Sequence, residues 1–272
     1  MPESENSTDQ AIDRAARWAE RASSFGAQAE VYAEHRPDYP AAGIHWALAP
    51  IGDRKAPVVL DLGAGTGKLT EGLLAIGAEV IAVEPDDAMR AELVARFPDV
   101  RAFSGAAEAI PLQDGSVDAV LAGQAFHWFD QARAFPEIAR VLRTNGVFAA
   151  LWNKDDGRVE WVAELQRVVR SGTSLPSAGD NKLPSHPLFA EFEQSEFAHT
   201  QRRTAESLTT TIGTHSNTVV ISAQQRAELL DRISTYLHSR PETAEGEFDF
   251  PLRTEVIRTV RRRTDTLSPQ QD

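Results

Sequence analysis

The chain predicts an α/β fold, an open and mostly parallel sheet with helices on both faces, and three observations predict it. Apolar, β-branched runs of strand length recur between stretches whose apolar residues follow helical spacing. The first such run, Val58-Val59-Leu60-Asp61-Leu62, passes through Gly63, Gly65 and Gly67 straight into a helical pattern at Leu69, Leu73, Leu74 and Ile76. Finally, 272 residues with 42% hydrophobic and 25% charged content suit one large domain with a substantial core.

The elements follow in order. Residues 1–10 are rich in Ser, Glu and Asp and read as a disordered tail, with a second tail at 264–272. Residues 11–50 read as an N-terminal helical cap: Ala11 to Ser24 carries Ile12, Ala16, Trp18 and Ala19 at helical spacing, and a short helix after it is broken by Pro37 and Pro40. Residues 51–153 form the core. Its second strand spans Ala78 to Val83 and ends in Glu84-Pro85-Asp86-Asp87, where Asp86 or Asp87 suits the cap and first turn of a helix. Strand three covers Val100 to Phe103, Asp114-Gly115-Ser116 makes a turn, and strand four covers Val117 to Ala122. An amphipathic helix from Pro136 to Arg143 stops at Thr144-Asn145-Gly146, and strand five covers Val147 to Trp152.

Residues 154–263 hold an insertion and the completion of the sheet. The insertion runs to about Ala190 around a helix near Val159 to Arg170. Strand six follows from Phe189 to Thr200, then helices near Ala205 to Gly213 and Ala223 to His238. The alternating segment from Glu247 to Val260 is the last of seven strands. The Arg261-Arg262-Arg263 run reads as a solvated end.

Composition excludes several functions. A net charge of -12 repels phosphate backbones and anionic lipid, so neither nucleic acid nor a membrane surface is an expected partner. The absence of cysteine removes disulfides, thiolate metal sites and cysteine nucleophiles, and no metal is expected. The polar, acidic start is unlike a signal peptide and no charge-free stretch has membrane length, so a cytoplasmic location is expected.

Chemistry concentrates at the glycine loop, where absent Cβ atoms and a helix N-terminus let backbone N–H groups approach a small anionic ligand. A phosphate-binding P-loop needs a glycine where Leu62 stands and a Ser or Thr where Leu69 stands, so Lys68 reads as a solvated helix-start lysine. A dinucleotide fingerprint needs its third glycine at Lys68. A glycine-rich turn without ligand is the bland alternative.

The remaining pattern, acidic-x-G-x-G-x-G, resembles motif I of the class I S-adenosylmethionine-dependent methyltransferases. Phe126 to Phe129, with its H-W-F, resembles the type 11, trans-aconitate methyltransferase-like branch, as do Tyr32, Arg36 and Tyr39 within a Y-x-x-x-R-P-x-Y-P segment. The resemblance implies a Rossmann-like sheet of seven strands with the last antiparallel, and S-adenosylmethionine as cofactor, with S-adenosylhomocysteine as its product. By it Gly63, Ala64, Gly65 and Gly67 approach the methionine part and Asp61 faces the ammonium. Glu84, at the tip of strand two beside Pro85, is placed to accept both ribose hydroxyls. Met89, and Ala106, Ala107 and Glu108 of a G-x-A-E-x-L-P-like segment, are expected near the adenine. For Met89 core filling is the other reading, and for Glu108 it is a helix-start acid. Tyr32, Arg36 and Gln124 join the cofactor set.

A small-molecule acceptor, methylated at O, N or C, is expected beside Tyr39, His127, Trp128 and Trp152, with the insertion as a lid. His127 carries two open readings, general base or an orienting and packing role. Two further functions stay open: S-adenosylmethionine binding without methyl transfer, and nicotinamide-dependent oxidation.

Overall fold

The computed structural model describes residues 37–171, 183–213 and 221–263. An α-helix, α1 (Ala41–Leu48), precedes β1 (Val58–Leu62), α2 (Lys68–Ala75), β2 (Glu79–Val83), α3 (Asp87–Arg96) and the short β3 (Arg101–Phe103). Then come β4 (Val117–Gly123), a single 3-10 turn at Phe126–Trp128, α4 (Gln131–Val141), β5 (Leu142–Asp155) and α5 (Glu160–Ser171). The chain continues through β6 (Glu193–Arg203), α6 (Ala205–Gly213), α7 (Ala223–His238) and β7 (Phe248–Val260).

The strands form one seven-stranded sheet in the order β3-β2-β1-β4-β5-β7-β6. The pairs from β3 to β5 are parallel, and β7 runs antiparallel to both β5 and β6. The expected α/β architecture with its reversed last strand is therefore the observed one. Chain order reverses direction across the sheet between β1 and β4, which places a crevice beyond their carboxyl ends.

Both sheet faces are buried, and β-period two sorts the side chains between them. From β1, Leu60 and Leu62 join one apolar cluster with Phe126, Phe135, Ile138 and Phe148, and α4 covers that face. Val59 joins the other with Ile44, Leu69, Leu73 and Leu93, from α1, α2 and α3. In the first cluster the ring centroids of Phe126 lie 5.5 Å from Phe135 and 5.3 Å from Phe148, contacts that add roughly 0.5–1.5 kcal/mol each to the burial. A third cluster gathers Trp161 and Leu165 of α5, Leu208 of α6, and Leu229 and Ile233 of α7 over Phe248, Phe250 and Leu252 of β7. No described helix is long and apolar enough to cross a membrane.

Several boundaries differ from the sequence reading. The helix before β5 starts at Gln131 and runs through Pro136. Asp130 caps it, accepting the Ala132 N–H at 3.2 Å, and burial of Phe135, Ile138, Ala139 and Val141 outweighs the missing proline donor. Thr144-Asn145-Gly146 is not a helix stop but a bulge inside β5: Val117 pairs with Leu142 and Ala119 with Val147, and Asn145 takes φ 62°. Strand six begins at Glu193; Phe189 is instead buried against Phe135 and Phe148.

One buried carboxylate joins β4 to its surroundings. Asp118 accepts the Val58 N–H at 2.9 Å and pairs with Arg143 at 2.7 Å and Arg54 at 3.0 Å. Asp118→Ala strands a donor at the start of β1, and a loss of about 1–3 kcal/mol is expected in urea denaturation, with unchanged secondary structure by circular dichroism.

Candidate active site

The glycine loop links β1 to α2. Gly63, Gly65 and Gly67 take φ of 71°, 56° and 89°, the left-handed region that a side chain resists. Their surroundings differ, however. A Cβ on Gly63 would stand 2.7 Å from the Ala125 Cβ, and one on Gly67 would stand 2.8 Å from the Phe97 ring. Only at Gly65 is there room, the nearest atom being the Met89 Sδ at 3.8 Å. Two of the glycines therefore admit protein, and the third leaves a cradle.

The backbone donors of this loop are also largely committed, contrary to the expectation that they meet a ligand directly. The Gly63 and Ala64 N–H groups donate to the Val83 carbonyl at 2.8 and 3.2 Å, and that of Gly67 donates to the Ala64 carbonyl at 2.9 Å. Gly65 donates to Glu84 Oε2 at 2.8 Å, while Glu84 Oε1 accepts the Asp86 N–H at 2.9 Å. Glu84 is thus a clamp between the β2 tip and the loop. Each of its oxygens keeps a second lone pair, enough to accept from a vicinal diol. Burial pushes its pKa up, and the two N–H donors oppose that. Pro85 lies half-buried between Glu84 and Asp86, and Asp86 caps α3 by accepting the Met89 N–H at 2.8 Å.

Asp61 lies beneath the loop with no exposed surface. Its Oδ2 accepts the Thr70 hydroxyl at 2.6 Å, but its buried Oδ1 meets no hydrogen-bond partner among the described residues. Burial, reinforced by the Glu84 charge and opposed by Thr70, pushes the pKa of Asp61 up to about 7. The buried Thr66 hydroxyl likewise lacks a partner among the described residues. A carboxylate in this state is prepared for a cation, and the loop above it for a small polar ligand.

A strap crosses the opening. Asn153 Nδ2 donates to the carbonyls of Pro37 and Asp38 at 3.2 Å each, and Lys68 Nζ pairs with Asp38 Oδ1 at 2.9 Å. Lys68 is therefore no solvated lysine: it ties the start of α2 to the strap, and its side chain is only 17% exposed. Tyr39 follows, packed so closely over β4 that a Cβ on Gly123 would stand 2.6 Å from its hydroxyl.

The tips of β4 and β5 form the opposite wall. Gln124 takes φ 54°, its N–H donates to the Leu151 carbonyl at 2.8 Å, and its Nε2 donates to the Asn153 carbonyl at 2.9 Å. Exposed His127 accepts at Nδ1 a long hydrogen bond, 3.4 Å, from Nε1 of buried Trp152, and its ring lies 4.7 Å from that of Trp128.

The structure thus gathers Asp61, Gly63, Ala64, Gly65, Gly67, Glu84, Pro85 and Met89 around one loop, and Tyr39, Gln124, His127, Trp128 and Trp152 at the neighbouring strand ends. Ala107 is instead packed in the core, and Ala106 pairs its carbonyl with the Ala109 N–H at 3.1 Å. Glu108 starts no helix; its Oε1 accepts the Asp130 N–H at 2.6 Å and fixes the loop after Trp128. Tyr32 and Arg36 lie outside the described residues. Sequence reasoning missed Thr70, Asn153 and Asp38. Only Thr70 had a local signal, a hydroxyl inside the first turn of the helix after the glycines.

A sheet in this order with its last strand reversed, carrying a glycine loop over one buried acid and clamped by another, defines a methyltransferase-type α/β protein. Residues 60–150 match the methyltransferase domain family. The chain is 41% identical over 221 residues to an uncharacterized methyltransferase of Mycobacterium tuberculosis, covering 81% of this chain and 88% of that one. Over 90 residues, 33% of either chain, it is 38% identical to a protein of the same organism provisionally named an S-adenosylmethionine-dependent methyltransferase. A solved structure of a candidate type II methyltransferase from Anaeromyxobacter dehalogenans superposes with a TM-score of 0.65 at 28% identity, covering 83% and 97% of the two chains. The chain belongs to the methyltransferase family.

Asp61 makes stability depend on pH with a definite sign. Its folded pKa of about 7 exceeds the ordinary 3.8, so the folded chain holds a proton that the unfolded chain releases, and stability falls as pH rises from about 4 through 7. Relative to Asp61→Asn, the ligand-free wild type is expected to lose roughly 2–4 kcal/mol between pH 4.5 and 7.5 in urea titrations.

Proposed function

We propose that the protein transfers a methyl group from S-adenosylmethionine to a small-molecule acceptor, within the branch that its H-W-F segment resembles. The observation that carries this reading is the buried, unpartnered Oδ1 of Asp61 beneath the open Gly65 cradle, with Glu84 at the adjacent strand tip. A buried carboxylate with one oxygen left unpaired is costly, and an ammonium group offsets that cost with a charge-assisted bond. The spare lone pairs of Glu84 suit a ribose diol, and Thr66 offers a hydroxyl to the amino-acid end. Met89 lies beside Gly65, where an apolar surface serves a purine ring. When bound, S-adenosylmethionine supplies a sulfonium methyl open to in-line displacement.

The remaining work of the chain is positioning. Holding an acceptor atom in line and excluding water can supply roughly 7–11 kcal/mol of the barrier. Tyr39 and its strap close one side, and Gln124, His127 and Trp128 face the other. A neutral imidazole that accepts at Nδ1 carries its proton on Nε2, so His127 orients an acceptor oxygen by donating to it. Repulsion of nucleic acid by the net charge of -12 supports a small acceptor.

Calorimetric titration with S-adenosylmethionine, S-adenosylhomocysteine and NAD tests the reading. Binding of the first two and not of NAD is expected; binding of NAD alone overturns it. Glu84→Ala is expected to weaken S-adenosylhomocysteine by about 1–3 kcal/mol, through lost bonds to the charged group and release of the Gly65 loop. An unchanged dissociation constant would remove Glu84 from the site.

A further inference from the structure

Asp61 stands in β1 between two apolar neighbours, Ala82 of β2 and Leu121 of β4, and has no exposed surface. One hydroxyl, that of Thr70, donates to its Oδ2 at 2.6 Å, and its Oδ1 has no hydrogen-bond partner among the described residues. The charge that acts on it is that of Glu84, which has the same sign. The cations of the surrounding elements are held by other groups. Lys68, at the start of α2, pairs with Asp38 at 2.9 Å. From α3, Arg90 spans the Glu84 carbonyl and Asp87 at 3.0 and 2.5 Å, and Arg96 spans the Thr66 carbonyl and Glu71 at 2.9 and 3.0 Å.

A carboxylate with one donor, no cation and a like charge nearby is too poorly stabilised to stay ionised far below neutral pH, so the ligand-free site holds Asp61 there as the neutral acid. Burial accordingly pushes its pKa up to about 7. An ammonium group at Oδ1 reverses that balance, because it stabilises the carboxylate and not the acid. The acid alone and the carboxylate paired with ammonium both leave the buried position without net charge. An acid paired with ammonium, or a carboxylate without it, leaves one buried charge uncompensated.

We infer that loading of the cofactor is coupled to release of a proton from Asp61: the O–H bond of the acid breaks, its proton passes to solvent, and the arriving ammonium, charged throughout, pairs with Oδ1. The inference rests on the S-adenosylmethionine reading of this site. It makes the site pH-sensitive with a definite sign. Where the empty site is protonated, binding has to expel the proton, so affinity falls about tenfold for each unit of pH lost. Once Asp61 is ionised in the empty site, affinity levels off.

The full-length protein is titrated calorimetrically with S-adenosylhomocysteine and with 5′-methylthioadenosine between about pH 5.5 and 7.5, in two buffers of different ionisation enthalpy at each pH, which yields the number of protons exchanged. The second ligand keeps the adenine and ribose and lacks the amino-acid end, so it measures whatever protons Glu84 exchanges. At about pH 6, S-adenosylhomocysteine is expected to release about one proton more than 5′-methylthioadenosine, and from the acid to the neutral end of the range its affinity should rise roughly tenfold further. Asp61→Asn should remove both differences. Equal proton counts for the two ligands, or a difference that persists in Asp61→Asn, overturns the inference. Where one comparison is lost, because the variant does not fold or the nucleoside binds too weakly, the other decides alone. Binding of S-adenosylhomocysteine without proton release overturns the inference and leaves the cofactor reading standing, whereas failure of S-adenosylhomocysteine to bind at any pH overturns both.

Discussion

The Glu84 carboxylate is the constraint on which the site depends. One oxygen accepts the Gly65 N–H and the other the Asp86 N–H, so a single side chain sets the loop after β1 and the helix start after β2 at the same time. Bonds to a charged acceptor are worth roughly 1.5–3 kcal/mol each, enough to hold three positive-φ residues in a conformation that the chain would otherwise leave. The clamp also brings a second negative charge toward Asp61, which raises the pKa of that already buried carboxyl group. Pre-organisation of the loop and an unsatisfied acid under it are two results of one arrangement.

The opposite wall is assembled by polar contacts between segments far apart in the chain. Asn153 donates to the strap at Pro37 and Asp38, receives the Thr254 hydroxyl at 2.5 Å and offers its carbonyl to Gln124. Through this one residue, side chain and main-chain carbonyl together, the strap, the tip of β4, β5 and β7 share a junction, and Lys68 adds the start of α2 by pairing with Asp38. The strap is thus held at the rim by polar bonds, the two from Asn153 at 3.2 Å each, while Tyr39 behind it is buried against β4.

The C-terminal half builds a separate apolar body. α5, α6 and α7 pack on the first residues of β7, over Phe248, Phe250 and Leu252.

By itself the sequence determined the parallel core, its nucleotide-type loop and the acid after β2. Those features rest on local rules: strand-length apolar runs, glycines at alternate positions, and a carboxylate where a strand stops. Packing decided where local rules conflict, as when α4 runs through Pro136 because Phe135 and Ile138 need burial, or when Thr144 to Gly146 bulges from β5 instead of ending a helix. The partners of Lys68, Glu108, Trp152 and Asn153 were beyond local reading, because each lies 22 or more residues away along the chain. Only the tertiary structure decided that two of the three loop glycines face protein and that one oxygen of Asp61 is buried without a partner among the described residues, since burial and charge compensation are properties of the folded neighbourhood.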